Sequence, residues 1–564
     1  MNKSRKSILI AVTIIGAAMI SLRLPIKEDY FEMSKQLEIL NSAFRELNIF
    51  YVDPLSPGDL MQTGIDAMLI SLDPYTQYYP ESRMEDVRFM STGEYGGVGL
   101  ALDERWDGTF YIVDIKENSP AEKGGLQLGD NLMEIEGQSI SHLDISKIGE
   151  LIKGTSGTEI QLGIQHPGEL DIINVTLTRE KIKTPDVPYY GMISDSTGYL
   201  ILSKFTRTAT TEVRKALIQL TDSLGAKQIV FDLRGNGGGL LREAVSIVNL
   251  FVRKGEEVVS MKGKTPEWNN KYSTQSKALL PDIPLAILID NNSASASEIV
   301  AGTLQDLDRA LIVGQESFGK GLVQQTKNLA YGSRIKITVA KYYTASGRCI
   351  QRLHYGDRDD RGDAKIQADS TLQTFYTKNG RPVIEGRGVV PDIEINTKKL
   401  NYVLSGILES GVLFDFAVNE TNLGGEAYNL DPESFELTGI QWDAFMRFMN
   451  DQFSSELLET TGRDFPYEPK TKLVVEVLEE AMEEDGTLAS NADLINRLNN
   501  LSKPNLNEDL IKYETETREA LTEELIYHTG NTSGVFRHLL PNDEVAKEAV
   551  SKLESGEYLK ILGY

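Results

Sequence analysis

The residues best able to do chemistry lie between Leu285 and Gln325. The apolar, strand-like run Leu285–Asp290 passes into Asn291-Asn292-Ser293-Ala294-Ser295-Ala296-Ser297-Glu298 and then into a helix-like stretch. A turn of small residues between strand and helix can expose a hydroxyl nucleophile while the N–H groups opening the helix face a developing anion. Taken alone, a serine-rich helix cap explains the same residues equally well. Two further segments shift the balance. Lys320 follows Ser295 by 25 residues, between Gly319 and Gly321, with Gln324 four residues on. Upstream, Phe231-Asp232-Leu233-Arg234-Gly235-Asn236-Gly237-Gly238-Gly239 ends another apolar run. Glycines there let backbone amides approach a ligand closely. One such amide, with that of Ala296, would suit an oxyanion hole.

Lys320 as a base carries a severe physical demand. A free lysine has a pKa of about 10.4, so bringing it near 7 disfavours its charged form by about 4.6 kcal/mol; burial away from water supplies shifts of that size. The competing arrangement is a Ser–His–Asp triad. The five histidines, His142, His166, His354, His528 and His538, stand in no recognisable triad context. Cys349, the single cysteine, sits in a strand-like run without a histidine motif and reads as a structural thiol. No His/Cys/carboxylate cluster has ligand spacing, so neither a metal nor another cofactor is expected.

The elements that must position these groups are legible in outline. Residues 27–90 carry helical periodicity (Phe31, Leu37, Leu40, Phe44, Leu47), broken at Tyr51-Val52-Asp53-Pro54. From Gly93 to about Lys181 the pattern changes to short β-runs with glycine punctuation and two helical pieces, near Ala121 and over Ile145–Ile152. From Pro185 to about Ile395 strands and helices alternate, as in an α/β core. Beyond residue 400 the pattern is helical and acidic.

Three segments together resemble the C-terminal (tail-specific) processing proteases, whose pattern is D-L-R-x-N-x-G-G, S-A-S-A-S-E and F-G-K-G-x-V-Q. Here these stand as Asp232–Gly239, Ser293–Glu298 and Phe318–Gln324. The closing segment, from Ile337–Thr344 to Gly388-Val389-Val390-Pro391-Asp392, is also similar, although extra polar residues between Arg352 and Gly386 depart from the short family members. Position by position, the resemblance implies Ser295 as nucleophile, Lys320 as general base and Gln324 as the residue orienting it. It implies an oxyanion hole from the N–H groups of Gly239 and Ala296, with Gly238 as the alternative if the turn is offset by one residue. Ser293 and Ser297 become turn or cap residues. Residues 93–181 resemble a PDZ domain, and Gly96-Gly97-Val98-Gly99 its loop for a peptide C-terminal carboxylate.

The implied fold is multidomain α+β: a crotonase/ClpP-like α/β protease core with an inserted PDZ domain, a helical N-terminal module and a helical C-terminal domain. The expected divisions are a signal peptide or anchor at 1–24, the helical module at 25–92, PDZ at 93–181, the Ser–Lys core at 182–398 and an acidic helical domain at 399–564.

The 564 residues carry 83 Asp and Glu against 58 Lys and Arg, a net charge of −25. That balance provides no basic field for nucleic acid. Residues 401–564 alone hold 32 acidic and 12 basic residues. At the N-terminus, Lys3, Arg5 and Lys6 precede an apolar run from Ile8 to Ile20, shorter than the roughly 20 residues of a spanning helix. It reads as a removed secretory signal or a short membrane anchor, and the expected location is periplasmic or on the inner membrane facing the periplasm. The expected partners are proteins or peptides with free, apolar C-termini; a homo-oligomer is left open. Two rival readings are a non-catalytic PDZ adaptor, which would predict loss of Ser295 or Lys320, and a crotonase-like acyl-coenzyme A enzyme, which leaves the PDZ domain unexplained.

Overall fold

The computed structural model describes residues 26–105, 107–359, 361–366, 371–396, 400–424, 431–454, 457–458 and 465–564. The segment expected to direct export, residues 1–24, lies outside them. The chain divides into two compact units, one ending at Tyr78 and the other spanning Tyr79–Tyr564.

The first unit holds helices α1 (Ile26–Phe50) and α2 (Pro57–Ile70). Ser56 caps α2 by accepting from the Asp59 N–H, and Pro57 fills the first helical position, where its missing N–H costs nothing. The helical module expected at 25–92 ends earlier than that. Helix α3 (Met84–Thr92) belongs to the second unit, where Asp86 pairs with Lys153 at 2.7 Å and the Ser91 carbonyl accepts from the Arg207 N–H at 3.1 Å. Helical periodicity alone does not reveal which partner a helix packs against.

The second unit opens with a small β-domain: β1 (Glu94–Gly97), β2 (Leu100–Glu104), β3 (Phe110–Ile115), β4 (Asn131–Ile135), α4 (Ile145–Ile152), β5 (Glu159–Gln165), β6 (Ile173–Thr178) and β7 (Glu180–Lys183). β2 to β6 form one antiparallel sheet in that order, with Ile148 and Ile152 of α4 among its buried core. β1 pairs antiparallel with β7, Glu94 opposite Lys183, so the two ends of the domain leave side by side. That is the geometry of an insertion.

The α/β core follows with β8 (Tyr189–Met192), β9 (Thr197–Ile201), α5 (Ala209–Ile218), β10 (Gln228–Asp232), α6 (Leu241–Phe251), β11 (Glu257–Gly263), β12 (Leu285–Ile289), α7 (Ala296–Asp306), β13 (Leu311–Gly314), β14 (Leu322–Asn328), β15 (Arg334–Thr344) and β16 (Ile393–Glu394). The main sheet runs β8-β9-β10-β12-β13-β16, parallel except for β8. Every residue of β10 and β12 is buried, as expected for strands covered on both faces. Alternate side chains divide between two cores. Leu200, Phe231, Ile287 and Ile312 face α5, α6 and α7; Tyr199, Val230, Ala286, Leu288 and Val313 face the other way.

The remainder is helical: α8 (Tyr402–Glu409), α9 (Val412–Gly424), α10 (Gly439–Gln452), α11 (Lys470–Glu484), α12 (Ala492–Leu501), α13 (Leu506–Lys512), α14 (Glu514–Leu539) and α15 (Glu544–Ser555). Val403, Phe416, Trp442, Phe445, Leu510 and Leu525 build its own core. α15, in this last region, also packs on the core. Its Val545, Ala546, Ala549 and Leu553 cover the second face of the core sheet, against Val230, Ala286, Leu288 and Val313. A fully buried Val or Leu contributes about 1.5–3 kcal/mol, so this helix is part of the core rather than an appendage.

Candidate active site

β12 ends at Ile289 and α7 begins at Ala296, so the turn between them carries the serines. Ser295 is its last residue, with φ 55° and ψ −108°, a backbone setting that a side chain holds only under constraint. Its neighbours supply the constraint. Ser293 Oγ donates to the Leu233 carbonyl and Ser297 Oγ to the Asn236 carbonyl, each at 2.8 Å, while Ala294 N–H donates to the same Asn236 carbonyl at 3.0 Å. The flanking serines thus fasten the turn to the glycine loop that follows β10.

That loop approaches the turn closely. A Cβ on Gly238 would stand 2.7 Å from the Ala294 carbonyl and 2.9 Å from the Ala296 nitrogen, so only glycine fits. Hydrogen bonding distinguishes the two candidate glycines. Gly238 N–H donates to Asn236 Oδ1 at 2.8 Å and is spent; the N–H groups of Gly239 and Ala296 make no hydrogen bond among the described residues. Ser295, Ala296, Gly238, Gly239, Lys320 and Gln324 line one cleft of about 820 Å³. Gln324, on β14, donates its amide to Thr338 Oγ1 at 3.2 Å.

One buried carboxylate ties the serine turn to the lysine loop. Glu298, without solvent exposure, accepts from Ser295 N–H (2.8 Å) and Lys320 N–H (2.9 Å) on one oxygen, and from Gly319 N–H (2.7 Å) and Ser317 Oγ (2.5 Å) on the other. Burial pushes its pKa above the usual carboxylate value, against the pull of those four donors. The Tyr342 hydroxyl adds a second link, 2.9 Å from the Ser295 carbonyl and 2.7 Å from the Lys320 carbonyl. Neither residue was assigned a role from sequence. The signal for Glu298 was present: an acid at the third helical position after Ser295, ahead of Ile299 and Val300, is half of a capping box.

Among the described residues no histidine lines the cleft, nor does any Asp or Glu. Among the described residues no group of three or more His, Cys, Asp or Glu could hold a metal ion. Cys349 bridges Tyr343 outside the cleft, and burial pushes its thiol up, away from nucleophilic character. In the PDZ-like loop one expected contact is corrected. Gly96 N–H donates to Glu85 Oε2 at 2.8 Å and is not free for a peptide carboxylate. Gly97 lies in β1 opposite Glu180, Val98 is buried, and Gly99 turns the chain at φ 85°.

Comparison with known proteins defines the class. Residues 196–356 match peptidase family S41, 86–165 the PDZ domain, and 403–553 the C-terminal helical domain of probable PDZ-proteases. A carboxy-terminal-processing protease of Bartonella bacilliformis is 35% identical over 324 residues, 57% of this chain and 73% of its own. A probable CtpA-like serine protease of Staphylococcus aureus strain RF122 is 28% identical over 463 residues, 80% of this chain and 83% of its own. Among solved structures, a photosystem II D1 C-terminal processing protease is 25% identical, covering 65% of this chain and 89% of that one, with a TM-score of 0.35. The chain belongs to the S41 carboxy-terminal processing protease family: it is a serine-type peptidase with a PDZ domain and a helical C-terminal domain.

Proposed function

We propose that Ser295 is the nucleophile and Lys320 the general base of an acyl-enzyme mechanism acting on exported proteins. Neutral Lys320 takes the Ser295 proton as Oγ attacks the scissile carbonyl. The N–H groups of Gly239 and Ala296 hold the oxyanion of the tetrahedral intermediate. The protonated lysine then serves the leaving amine, and water, deprotonated by Lys320, hydrolyses the ester. Gln324 steadies the lysine from the same wall. The observation that carries this reading is the single cleft holding Ser295, Lys320 and two unspent amides, with Glu298 fastening both loops. The absence of any histidine or carboxylate from its lining favours the lysine over a triad.

The PDZ domain presents the substrate's free C-terminus through the loop at Gly97–Gly99, with an adjacent groove for apolar last residues. Residues 8–20 direct export, which places the enzyme in the periplasm or on the membrane facing it. The test is cleavage of one denatured substrate with its C-terminus free or amidated. Faster cleavage of the free acid, abolished in Ser295→Ala and in Lys320→Ala, is expected. Full activity in Lys320→Ala defeats the dyad, and equal rates for acid and amide defeat tail recognition.

A further inference from the structure

We infer that the catalytic cleft selects polypeptide segments carrying aspartate or glutamate around the scissile bond, read by Lys204 and Arg207 on one wall and Arg334 and Lys336 on another. The inference rests on the assignment of Ser295 and Lys320 as the cleaving pair.

Its basis is a local reversal of charge. The chain carries 83 acidic and 58 basic residues, yet the cleft lining contains these four cations and, among the described residues, no Asp or Glu. Elsewhere in this unit cations find carboxylates: Lys153 with Asp86 at 2.7 Å, Lys183 with Glu212 at 2.7 Å, Arg352 with Glu316 at 3.1 Å. Among the described residues none of the four forms an ion pair. Two of them are held over aromatic faces instead, Lys204 4.1 Å from the Phe89 ring centre and Lys336 5.6 Å from that of Tyr79. A ring fixes an ammonium without cancelling its charge. Burial also lowers the pKa of Lys204, outweighing the more distant pull of Asp186, with which it forms no ion pair. Like charges gathered without partners repel one another, so the arrangement calls for an anionic ligand.

The walls indicate where the ligand's charges fall. Lys204 precedes Phe205, whose N–H donates to the Gly238 carbonyl at 3.1 Å and whose carbonyl accepts from Leu240 N–H at 2.8 Å. Lys204 and Arg207 therefore flank the glycine loop and face residues next to the scissile bond. Arg334 and Lys336 stand opposite Asn328 and Thr326 on β14, which starts at Leu322, two residues after Lys320. Lys336 stands opposite Thr326, so at about 3.3 Å per residue it lies some six residues along an extended chain from Lys320. Among the described residues β14 pairs only with β15, which leaves its other edge for a substrate to add as a strand. An acidic peptide bound there meets cations both beside the cut and several residues away.

The test uses full-length Ser295→Ala protein, which separates binding from cleavage. Labelled peptides share one apolar C-terminal tail and differ only in carrying Asp/Glu or Asn/Gln within five residues of the cut. The acidic peptide is expected to bind about five- to thirtyfold more tightly at low salt, about fivefold per charge contact. The preference should shrink at 0.5 M salt, and vanish or reverse in Arg334→Glu/Lys336→Glu and in the milder Lys204→Gln/Arg207→Gln, each checked for an unchanged melting transition. Equal binding of the two peptides at low salt overturns the inference. So does an acidic preference that survives both double variants, which would locate it in the PDZ domain, or tighter binding of a single-stranded oligonucleotide than of the acidic peptide. Failure of the dyad would appear separately, as cleavage by Ser295→Ala.

Discussion

Two crevices of similar size open beside the ends of the same strands, and they treat charge in opposite ways. The candidate catalytic cleft, about 820 Å³, gathers Lys204, Arg207, Arg334 and Lys336 and, among the described residues, no carboxylate. The second, about 870 Å³, lies between the ends of β10, β12 and β13 and the segment Phe536–Val545. There Arg234 reaches Asp232 at 2.6 Å and Asp543 at 2.6 Å, and Asp290 accepts from the N–H groups of Gly235 and Ser293 at 3.0 Å. Burial opposes the charge on Arg234, but the two carboxylates outweigh it and hold its pKa above the ordinary value. Charges paired within the chain make a joint; charges left unpaired in a cleft await a ligand. The difference separates residues whose loss unfolds from residues whose loss disarms.

The largest effect should come from the cleft. Ser295→Ala and Lys320→Ala are each expected to lower kcat/KM by about 10³-fold or more with an unchanged melting temperature, and the double variant to lose little further because the pair acts as a unit. Steady-state kinetics on a free-tail peptide measures this; additive losses would break the pairing. Next comes the joint. Arg234→Ala strands Asp232, 1% exposed, beside Asp543 and should cost about 3–5 kcal/mol, read as a lower urea midpoint. A variant as stable as the parent would erase the distinction between the two crevices.

Glu298→Gln probes the strap between the loops. The amide replaces one of two acceptor oxygens with a donor facing N–H and O–H groups, so about a 10²-fold fall in kcat is expected with little change in KM. Glu298→Asp, which keeps both acceptors but shortens their reach, should recover part of it; a purely structural role would leave kcat unmoved once folding is matched. The smallest effect lies outside both crevices. Burial, then Glu519 and Glu524, push Glu523 on α14 from 4.5 up to about 7. The folded state therefore holds an extra proton between about 4.5 and 7. The stability this confers is full below 4.5 and is lost as pH rises through 7, about 1–3 kcal/mol in all. Glu523→Gln should flatten the fall in melting temperature between pH 5 and 8; an unchanged slope would exclude Glu523 as its source.

How much was legible in the sequence depended on the range of the interaction. Helix α4 was predicted over Ile145–Ile152 and β3 over Phe110–Ile115, and both occupy those residues, because local periodicity and glycine punctuation set them. The small-residue turn and the glycine loop were legible as types, and the three motifs name Ser295, Lys320, Gln324 and the glycines that line one cleft. What was not legible were partnerships between distant segments. Nothing in the pattern of 84–92 reveals that it packs beside Arg207, and nothing in 544–555 reveals that its apolar side meets Val230 and Leu288. Asn236 engages the N–H of Gly238 and leaves that of Gly239 through one side-chain hydrogen bond, which spacing cannot encode. The cationic lining was hidden for the same reason: its four residues come from two separate stretches of an acidic chain.

The cover that α15 places over the core sheet also sets a clock. Asp543 follows Arg234 by 309 residues, so the ribosome makes the strands and the loops bearing Ser295 and Lys320 long before the helix that seals them. At about 5–20 residues per second that interval is on the order of 15–60 s. Throughout it one face of the sheet lacks its apolar cover and Arg234 lacks its second carboxylate. A nascent chain therefore carries the Ser295 turn and the Lys320 loop on an unfinished scaffold until α15 arrives to complete it.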